Sequence, residues 1–199
     1  MNIDEEKARI RKEIKRRRNE ISSQKIEEID SILPEFISAI DDDELQSALK
    51  GAKRVALYRA VRGEVPVDGL AEALMARGIK CCFPRVEGGE MVFCDCTDLS
   101  DELFCVSSYG IKEPVASLKP VKPEDIDVVV MPAVAYNEEG TRLGMGGGFY
   151  DRYFGADNAN KTYLLGICYE FQICSDVPNG DKDIVADFIA VIPEEVYEE

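Results

Sequence analysis

The chain has 199 residues, of which 45% are hydrophobic and 32% charged, a composition typical of an ordinary soluble globular domain. Its net charge of −15 argues against nucleic acid as a partner, because nucleic-acid-binding proteins present broadly basic surfaces. No apolar run approaches the roughly 20 residues that a membrane helix needs, and the N-terminus lacks the apolar core of a signal peptide. We therefore expect no membrane partner and a cytoplasmic location.

The chain contains no histidine and seven cysteines. The missing histidine excludes histidine triads, general bases and metal ligands. Cys94 and Cys96 share a face of a predicted strand, whereas Cys81 and Cys82 lie on opposite faces. No C-x-x-C spacing occurs, so the pattern favours reduced, half-buried thiols over a zinc site.

The first part of the chain predicts two helices. Residues 4–21 carry isoleucines on one side and a basic stripe on the other, and eight of the 24 basic residues fall between Lys7 and Arg18. A solvated helix face is the simplest explanation of such a stripe. Residues 26–40 continue an amphipathic pattern that Pro34 is expected to kink, and residues 41–44 read as a charged connection.

Strands and a ligand-facing loop follow. Val55–Tyr58 predicts a strand, and the loop 59–68 leads into a helix at residues 69–77. A Gly-Glu pair in such a loop lies where α/β folds place ligand groups, although an ordinary exposed acid is the alternative for Glu64. Residues 79–85 and 91–96 predict a hairpin around the turn at 87–90.

A glycine-rich segment is the most informative part of the sequence. Val128–Met131 predicts a buried parallel strand that Pro132 ends. After a turn at 137–140 comes Arg142-Leu-Gly-Met-Gly-Gly-Gly-Phe-Tyr-Asp-Arg-Tyr. The glycines let a ligand approach bare backbone, and a helix beginning at about Gly148 would direct free N–H groups towards it.

This segment matches neither the dinucleotide fingerprint, whose third glycine would fall on Phe149, nor the P-loop, because no lysine follows the glycines. A flexible turn would explain the glycines alone. Arg142 and Arg152 add cations and Asp151 adds a carboxylate for a metal ion, so phosphate binding is favoured.

Two apolar strands, residues 162–169 and 188–192, complete the pattern. Strands that alternate with helices predict one α/β domain around a largely parallel sheet, spanning residues 1–199. A monomer is expected.

The segment Gly140-Thr-Arg-Leu-Gly-Met-Gly-Gly-Gly-Phe-Tyr-Asp-Arg-Tyr153 resembles the signature of the 5-formyltetrahydrofolate cyclo-ligases, also called methenyltetrahydrofolate synthetases. Further likenesses are Lys7-x-x-x-Arg11, Gly63-Glu-Val65, Pro84-Arg85, Gly110-Ile-x-x-Pro114 and Tyr169-Glu-Phe-Gln172. The resemblance implies a three-layer α/β/α fold akin to the ribose-5-phosphate isomerase and coenzyme A transferase group. It also implies ATP- and Mg²⁺-dependent conversion of 5-formyltetrahydrofolate to 5,10-methenyltetrahydrofolate, with release of ADP and phosphate.

The resemblance carries over a set of site residues. The catalytic residues it implies are Arg142, Tyr150 and Asp151. The nucleotide-binding residues are Lys7, Arg11, Arg142, Leu143, Gly144, Met145, Gly146, Gly147, Gly148, Phe149 and Tyr150. The folate-binding residues are Arg11, Arg59, Glu64 and Phe149, and the magnesium ligands are Asp151 and Asp183. The other basic residues of the first helix are expected to face solvent. For Glu113 a capping or turn role is favoured over an approach to the substrate.

Two departures from the family pattern stand in the sequence. Some relatives have arginine and lysine where this chain has Met145 and Gly147, and Lys182 replaces a common histidine before Asp183. These substitutions motivate an alternative, a nucleotide- or folate-binding module without turnover. A purely structural protein would leave Asp151, Asp183 and Glu64 with no common explanation.

Overall fold

A seven-stranded sheet forms the centre of the computed structural model, which describes residues 3–108, 110–155, 162–175, 177 and 184–197. The strands are β1 (Arg54–Ala56), β2 (Lys80–Glu87), β3 (Glu90–Cys96), β4 (Phe104–Val106), β5 (Lys112–Pro114), β6 (Pro120–Val121), β7 (Val128–Pro132), β8 (Ala135–Tyr136), β9 (Arg142–Leu143), β10 (Tyr163–Tyr169) and β11 (Phe188–Ile192). The helices are α1 (Ile3–Arg18), α2 (Ser23–Ala39), α3 (Asp43–Gly51), α4 (Asp68–Ala76), α5 (Phe149–Tyr153) and α6 (Glu194–Tyr197).

The sheet has the order β11-β10-β7-β1-β2-β3-β6. Its first five strands are parallel, and β3 is antiparallel to both β2 and β6. The predicted mixed α/β class with a largely parallel sheet is confirmed. The predicted hairpin is also confirmed, since Glu87 pairs with Glu90 at its turn.

Strand β7 is buried on both faces, as its apolar run predicted. Val128 and Val130 join a core with leucines of α2, α3 and α4, so helices cover this face of the sheet. Val129 and Met131 join a second core on the opposite face, with Phe154 just after α5. Cys81 and Cys82 divide between the same two cores, as their adjacent positions predicted.

Helix α3 was not predicted, since residues 41–44 read as a charged connection. Asp42 is in fact an N-cap, because its side chain accepts a hydrogen bond from the Leu45 amide at 2.7 Å. Leu45 and Leu49 then bury the apolar side of this short helix.

Helix α1 lies beyond the carboxyl ends of the central strands. Its Ile10 and Ile14 pack against Val134, Ala135 and Leu143, which follow β7 or belong to the small β8–β9 sheet. This packing places one side of α1 against the glycine-rich segment. In the described part of the chain, each helix is too short or too polar to cross a bilayer.

Candidate active site

A cavity of about 890 Å³ opens at the carboxyl ends of β1, β2 and β7. Its walls include Tyr58 after β1, Val86 in β2 and Ala133 after β7, and α1 forms one side. Open α/β sheets hold ligands at this edge, because the loops that leave the strands converge there. The cavity therefore lies where the fold class places a binding site.

The cavity collects every predicted site residue that the structure describes. The lining includes Lys7, Arg11, Arg59, Glu64, Arg142, Leu143, Gly144, Met145, Gly146, Gly147, Gly148, Phe149, Tyr150 and Asp151. The remaining predicted residue, Asp183, lies outside the described residues.

The glycine segment, residues 144–148, is fixed at both ends. The β8–β9 pairing holds its start, and Arg11 Nε donates to the Gly144 carbonyl at 3.0 Å. At its other end Gly148 adopts φ +61° and leads into α5, which confirms the predicted helix start. A Cβ on Gly147 would lie 2.8 Å from Phe149 Cε2, so a side chain at this position would require the Phe149 ring to move.

Arg142 and Asp151 form an ion pair in the cavity wall. Arg142 is only 8% exposed, and its Nη2 lies 3.1 Å from both carboxylate oxygens of Asp151. The guanidinium also sits 5.1 Å above the centre of the Tyr150 ring, a cation–π distance. The Ile184 amide donates to the same carboxylate at 3.4 Å. The structure thus joins the three predicted catalytic side chains in one cluster.

Arg152 does not join this cluster, although the sequence predicted it as a cation for the loop. Its side chain is exposed and bonds the Gly147 carbonyl at 2.7 Å and Glu90 at 3.1 Å. It therefore supports the glycine segment from outside the cavity wall.

Arg18 was expected to face solvent, and that expectation is wrong. The side chain is buried, lines the cavity and donates to the Ala133 carbonyl. Lys12 and Lys15 also line the cavity, but both side chains are exposed to solvent, as expected. The signal for Arg18 was its spacing, four residues after Ile14, which continues the buried side of α1.

Glu64 lines the same cavity from the loop after β1, with a largely buried side chain. Its Oε2 accepts from the Val61 amide at 3.1 Å, and its Oε1 lies 3.8 Å from Arg18 Nη1. Burial raises the pKa of the Glu64 carboxyl, and the positive charge of Arg18 opposes that rise. The carboxylate is therefore a desolvated group whose charge depends on its cationic neighbours.

Arg59 and Glu113 are held by the protein itself while they line the cavity. Arg59 Nη1 lies 3.3 Å from Asp68 Oδ1, and its guanidinium covers the Phe104 ring at 4.8 Å. Glu113 Oε2 accepts from the Val86 amide at 3.1 Å, which ties β5 to β2. The predicted turn role of Glu113 thus becomes a strand-to-strand bridge in the cavity wall.

Tyr150 is half-buried beside the ion pair. Burial raises the pKa of its hydroxyl above the usual range, against the opposing charge of Arg142. The hydroxyl therefore stays protonated near neutral pH and can donate a hydrogen bond to a ligand oxygen.

Comparison with known proteins places the chain among folate enzymes. It is 31% identical to the 5-formyltetrahydrofolate cyclo-ligase of Escherichia coli over 151 residues, covering 74% of this chain and 81% of that protein. The structure of a 5,10-methenyltetrahydrofolate synthetase from Aquifex aeolicus aligns with a TM-score of 0.71 and 30% identity, covering 93% of this chain and 89% of the other.

A 5,10-methenyltetrahydrofolate synthetase from Mycoplasma pneumoniae aligns with a TM-score of 0.70 and 25% identity, covering 92% of this chain and 97% of the other. The sequence model of one family matches residues 3–192, nearly the whole chain. The cavity at the strand ends and its glycine segment therefore belong to a member of the 5-formyltetrahydrofolate cyclo-ligase family.

Proposed function

We propose that this chain is an ATP-dependent cyclo-ligase that converts 5-formyltetrahydrofolate to 5,10-methenyltetrahydrofolate with release of ADP and phosphate. One observation carries the proposal beyond family membership. All of the site residues that the family resemblance implies, and that the structure describes, line one cavity. A volume of about 890 Å³ is near the upper end of the range of small-molecule sites. The proposed enzyme acts as a cytoplasmic monomer.

The phosphate end of the cavity combines bare backbone with cations. Lys7, Arg11 and the backbone of residues 144–148 line it together. Phosphoryl transfer depends mainly on positioning and on neutralising charge that builds up on phosphate oxygens. Met145 and Gly147 bring no charge of their own, so we assign that task to Lys7, Arg11 and Arg142.

We assign the folate to the part of the cavity lined by Glu64, Arg59 and Tyr58, here called the folate end, and Phe149 also lines the cavity. Glu64 offers acceptor oxygens to the N–H groups of the pterin, and the Phe149 ring offers an apolar face. These groups orient N10 of the folate against the formyl carbon, which makes the ring closure intramolecular.

The reaction then follows in three steps. The formyl oxygen attacks the γ-phosphorus of ATP, and ADP leaves. N10 attacks the activated formyl carbon, forming the new C–N bond, and the N10 proton is released to solvent. The former formyl oxygen departs as part of inorganic phosphate, which leaves the methenyl bridge. Phosphorylation makes a poor leaving group a good one, so the site needs no histidine.

The carboxylate of Asp151 fits a magnesium ion that arrives with the nucleotide. The described residues contain no cluster of three acids or cysteines that would form a cage for a metal. Magnesium in nucleotide sites commonly uses one or two carboxylates together with phosphates and water. When bound, the ion would neutralise phosphate charge, and Asp151, with Asp183 as the second proposed ligand, would hold it.

Release of ADP with and without 5-formyltetrahydrofolate tests this function directly. We expect ADP release that depends on folate and matches the formation of the methenyl product. The absorbance of that product measures its formation. Tight binding of both ligands without release would instead identify a binding module, the alternative that Met145 and Gly147 suggest. Absence of both binding and release would remove the proposal.

A further inference from the structure

We infer that Arg18 is a positioning residue for the folate end of the cavity, which holds the Glu64 carboxylate in place and in its charged form. The inference rests on the proposed function, because Glu64 is assigned there as the acceptor for the pterin. Arg18 touches neither reacting atom in that assignment and acts through Glu64.

The guanidinium of Arg18 is held between two parts of the cavity wall. The side chain is 6% exposed and donates to the carbonyl of Ala133, the residue after β7. Its Nη1 lies 3.8 Å from Glu64 Oε1, and within the described part of the chain its Nε has no hydrogen-bond partner. One arginine therefore connects α1, the end of β7 and the loop that carries Glu64.

The loop before Glu64 is shaped to rest on the backbone of Arg18. Arg62 has φ +54° and Gly63 has φ +70°, so the chain turns sharply there. A Cβ on Gly63 would lie 2.8 Å from the Arg18 carbonyl oxygen, which leaves room only for glycine. The Glu64 amide then donates to the Val61 carbonyl at 3.1 Å, and the Val61 amide returns a bond to the carboxylate.

Among the charged groups that face Glu64, Arg18 most strongly opposes the rise in pKa that burial causes. Arg18 approaches from α1, and Arg62 contributes a smaller favourable charge from the same loop. The neighbouring titratable groups are the hydroxyls of Tyr58, Tyr150 and Tyr169, whose pKa values burial raises. These hydroxyls stay neutral near neutral pH, so Arg18 is the charged neighbour with the largest effect on the charge of Glu64.

The charged form matters for recognition. A carboxylate accepts two hydrogen bonds side by side from the ring N–H and the amino group of a pterin. A protonated carboxyl presents an O–H to one of those donors and loses that contact. Without Arg18, burial would favour the protonated form, and the folate would lose affinity first at low pH.

The test compares Arg18→Gln with wild type in pH profiles of folate affinity and of kcat/KM. We expect the acid limb of both profiles to move up by about one pH unit, with folate affinity up to about 10-fold weaker at pH values below both limbs. The KM for ATP should stay within about twofold of wild type, because Arg18 lies away from the phosphate end. Arg16→Gln on the exposed side of α1 is the matched control and should leave both profiles unchanged.

A Glu64→Gln background separates positioning from simple packing. Adding Arg18→Gln there should weaken folate binding no further, because the carboxylate it serves is gone. If Arg18→Gln folds too poorly, Arg18→Lys replaces it, and we expect weaker folate binding with an unmoved acid limb. A lower melting temperature with unchanged pH profiles would overturn the inference. If the wild type binds folate without turnover, and Arg18→Gln still moves the acid limb of folate binding, the proposed function alone would be overturned.

Discussion

The Asp151 carboxylate can bind a metal ion, hold Arg142 in position, or do both. Its oxygens lie 3.1 Å from Arg142 Nη2, so the side chain already has a structural partner in the protein alone. For Asp151→Asn we expect a fall in turnover of about 100-fold, because charge neutralisation at the phosphates is lost. The melting temperature should fall by less than about 4 °C, since asparagine keeps an acceptor oxygen for Arg142.

A magnesium titration of this variant distinguishes the two roles. A loss that added magnesium partly restores indicates a metal ligand. A loss that magnesium leaves unchanged, and that Arg142→Met reproduces, assigns Asp151 to holding Arg142. Asp101→Asn, an exposed acid paired with Lys112, serves as the control.

Glu64 gives the free enzyme a defined pH dependence of stability. Burial raises the pKa of its carboxyl above the ordinary value of 4.5, so the folded state holds this proton more tightly than the unfolded state. The stability that this proton contributes is present at low pH and is lost as pH rises through the folded pKa. Glutamine mimics the neutral acid, so the Glu64→Gln variant does not lose this stability as pH rises.

We therefore expect Glu64→Gln to gain stability relative to wild type as pH rises from 4.5 to 8. Urea unfolding at several pH values measures the difference, with exposed Glu124→Gln as the control. A difference that shrinks with rising pH would contradict a raised pKa of Glu64 in the folded state. At the same time, folate affinity should fall while ATP affinity stays near wild type, because the proposed function assigns Glu64 to the folate and not to the nucleotide.

Among the described helices, α1 supplies the most residues to the cavity wall. Arg11 reaches the Gly144 carbonyl, and Lys7 lines the same end of the cavity. We expect Lys7→Ala and Arg11→Ala each to raise the KM for ATP by about 10-fold, the effect of losing one charge-assisted contact of about 1.5 kcal/mol.

The matched control on the same helix is Arg16→Ala. Arg16 is exposed and pairs with Glu13 at 2.7 Å, whereas Lys12 lines the cavity and is unsuitable. Equal effects of all three substitutions would show that α1 acts as a general electrostatic field rather than through contacts. Steady-state kinetics at two ionic strengths would reveal such a field, because salt screens it.

The elements also show what local sequence predicts well and where it fails. Strand β7 was evident because four consecutive apolar residues cannot face solvent on either side. Helix α3 was missed because Asp42 was counted as a loop charge when its role is to cap. The burial of Arg18 was missed because its charge predicted exposure, although its spacing placed it on the buried side of α1. A buried arginine needs partners from distant segments, here Ala133 and Glu64, and local periodicity does not reveal them.

At the scale of the whole molecule, the glycine segment was predicted as a ligand site, but its surroundings were not. Its neighbours come from α1, from the loop after β1 and from the ends of β2 and β7. The order of strands in the sheet brings these segments together, and that order depends on pairings between distant residues. The family resemblance predicted residues of the site. It did not predict the ion pair of Arg142 with Asp151, which is evident only from the folded structure.

The cysteines offer a probe of the whole fold. Cys105 is exposed and Cys174 is half-buried, while the other five thiols are buried. Burial raises the pKa of Cys81, Cys96 and Cys168 to about 12, so few thiolates are present at neutral pH. We expect iodoacetamide to modify Cys105 first, Cys174 more slowly, and the five buried thiols only on unfolding.

Mass spectrometry of native and urea-treated protein checks this order. Rapid modification of all seven thiols in the native protein would show that the two cores open far more readily than their burial indicates. Site-resolved rates would identify which face of the sheet opens first, since Cys81 and Cys82 lie in different cores.

Helix α1 reaches both ends of the cavity, with Lys7 and Arg11 near the glycine segment and Arg18 beside Glu64. From Lys7 to Arg18 the helix rises by about 16 Å as one rigid rod. A ligand that tightens either end therefore also orders the other, so the two substrates should bind cooperatively. Thermodynamic reciprocity requires that a non-hydrolysable ATP analogue raise the affinity for folate by the same factor by which folate raises the affinity for the analogue. Calorimetric titrations in both orders measure the two factors, and independent affinities would show that α1 transmits nothing between its ends.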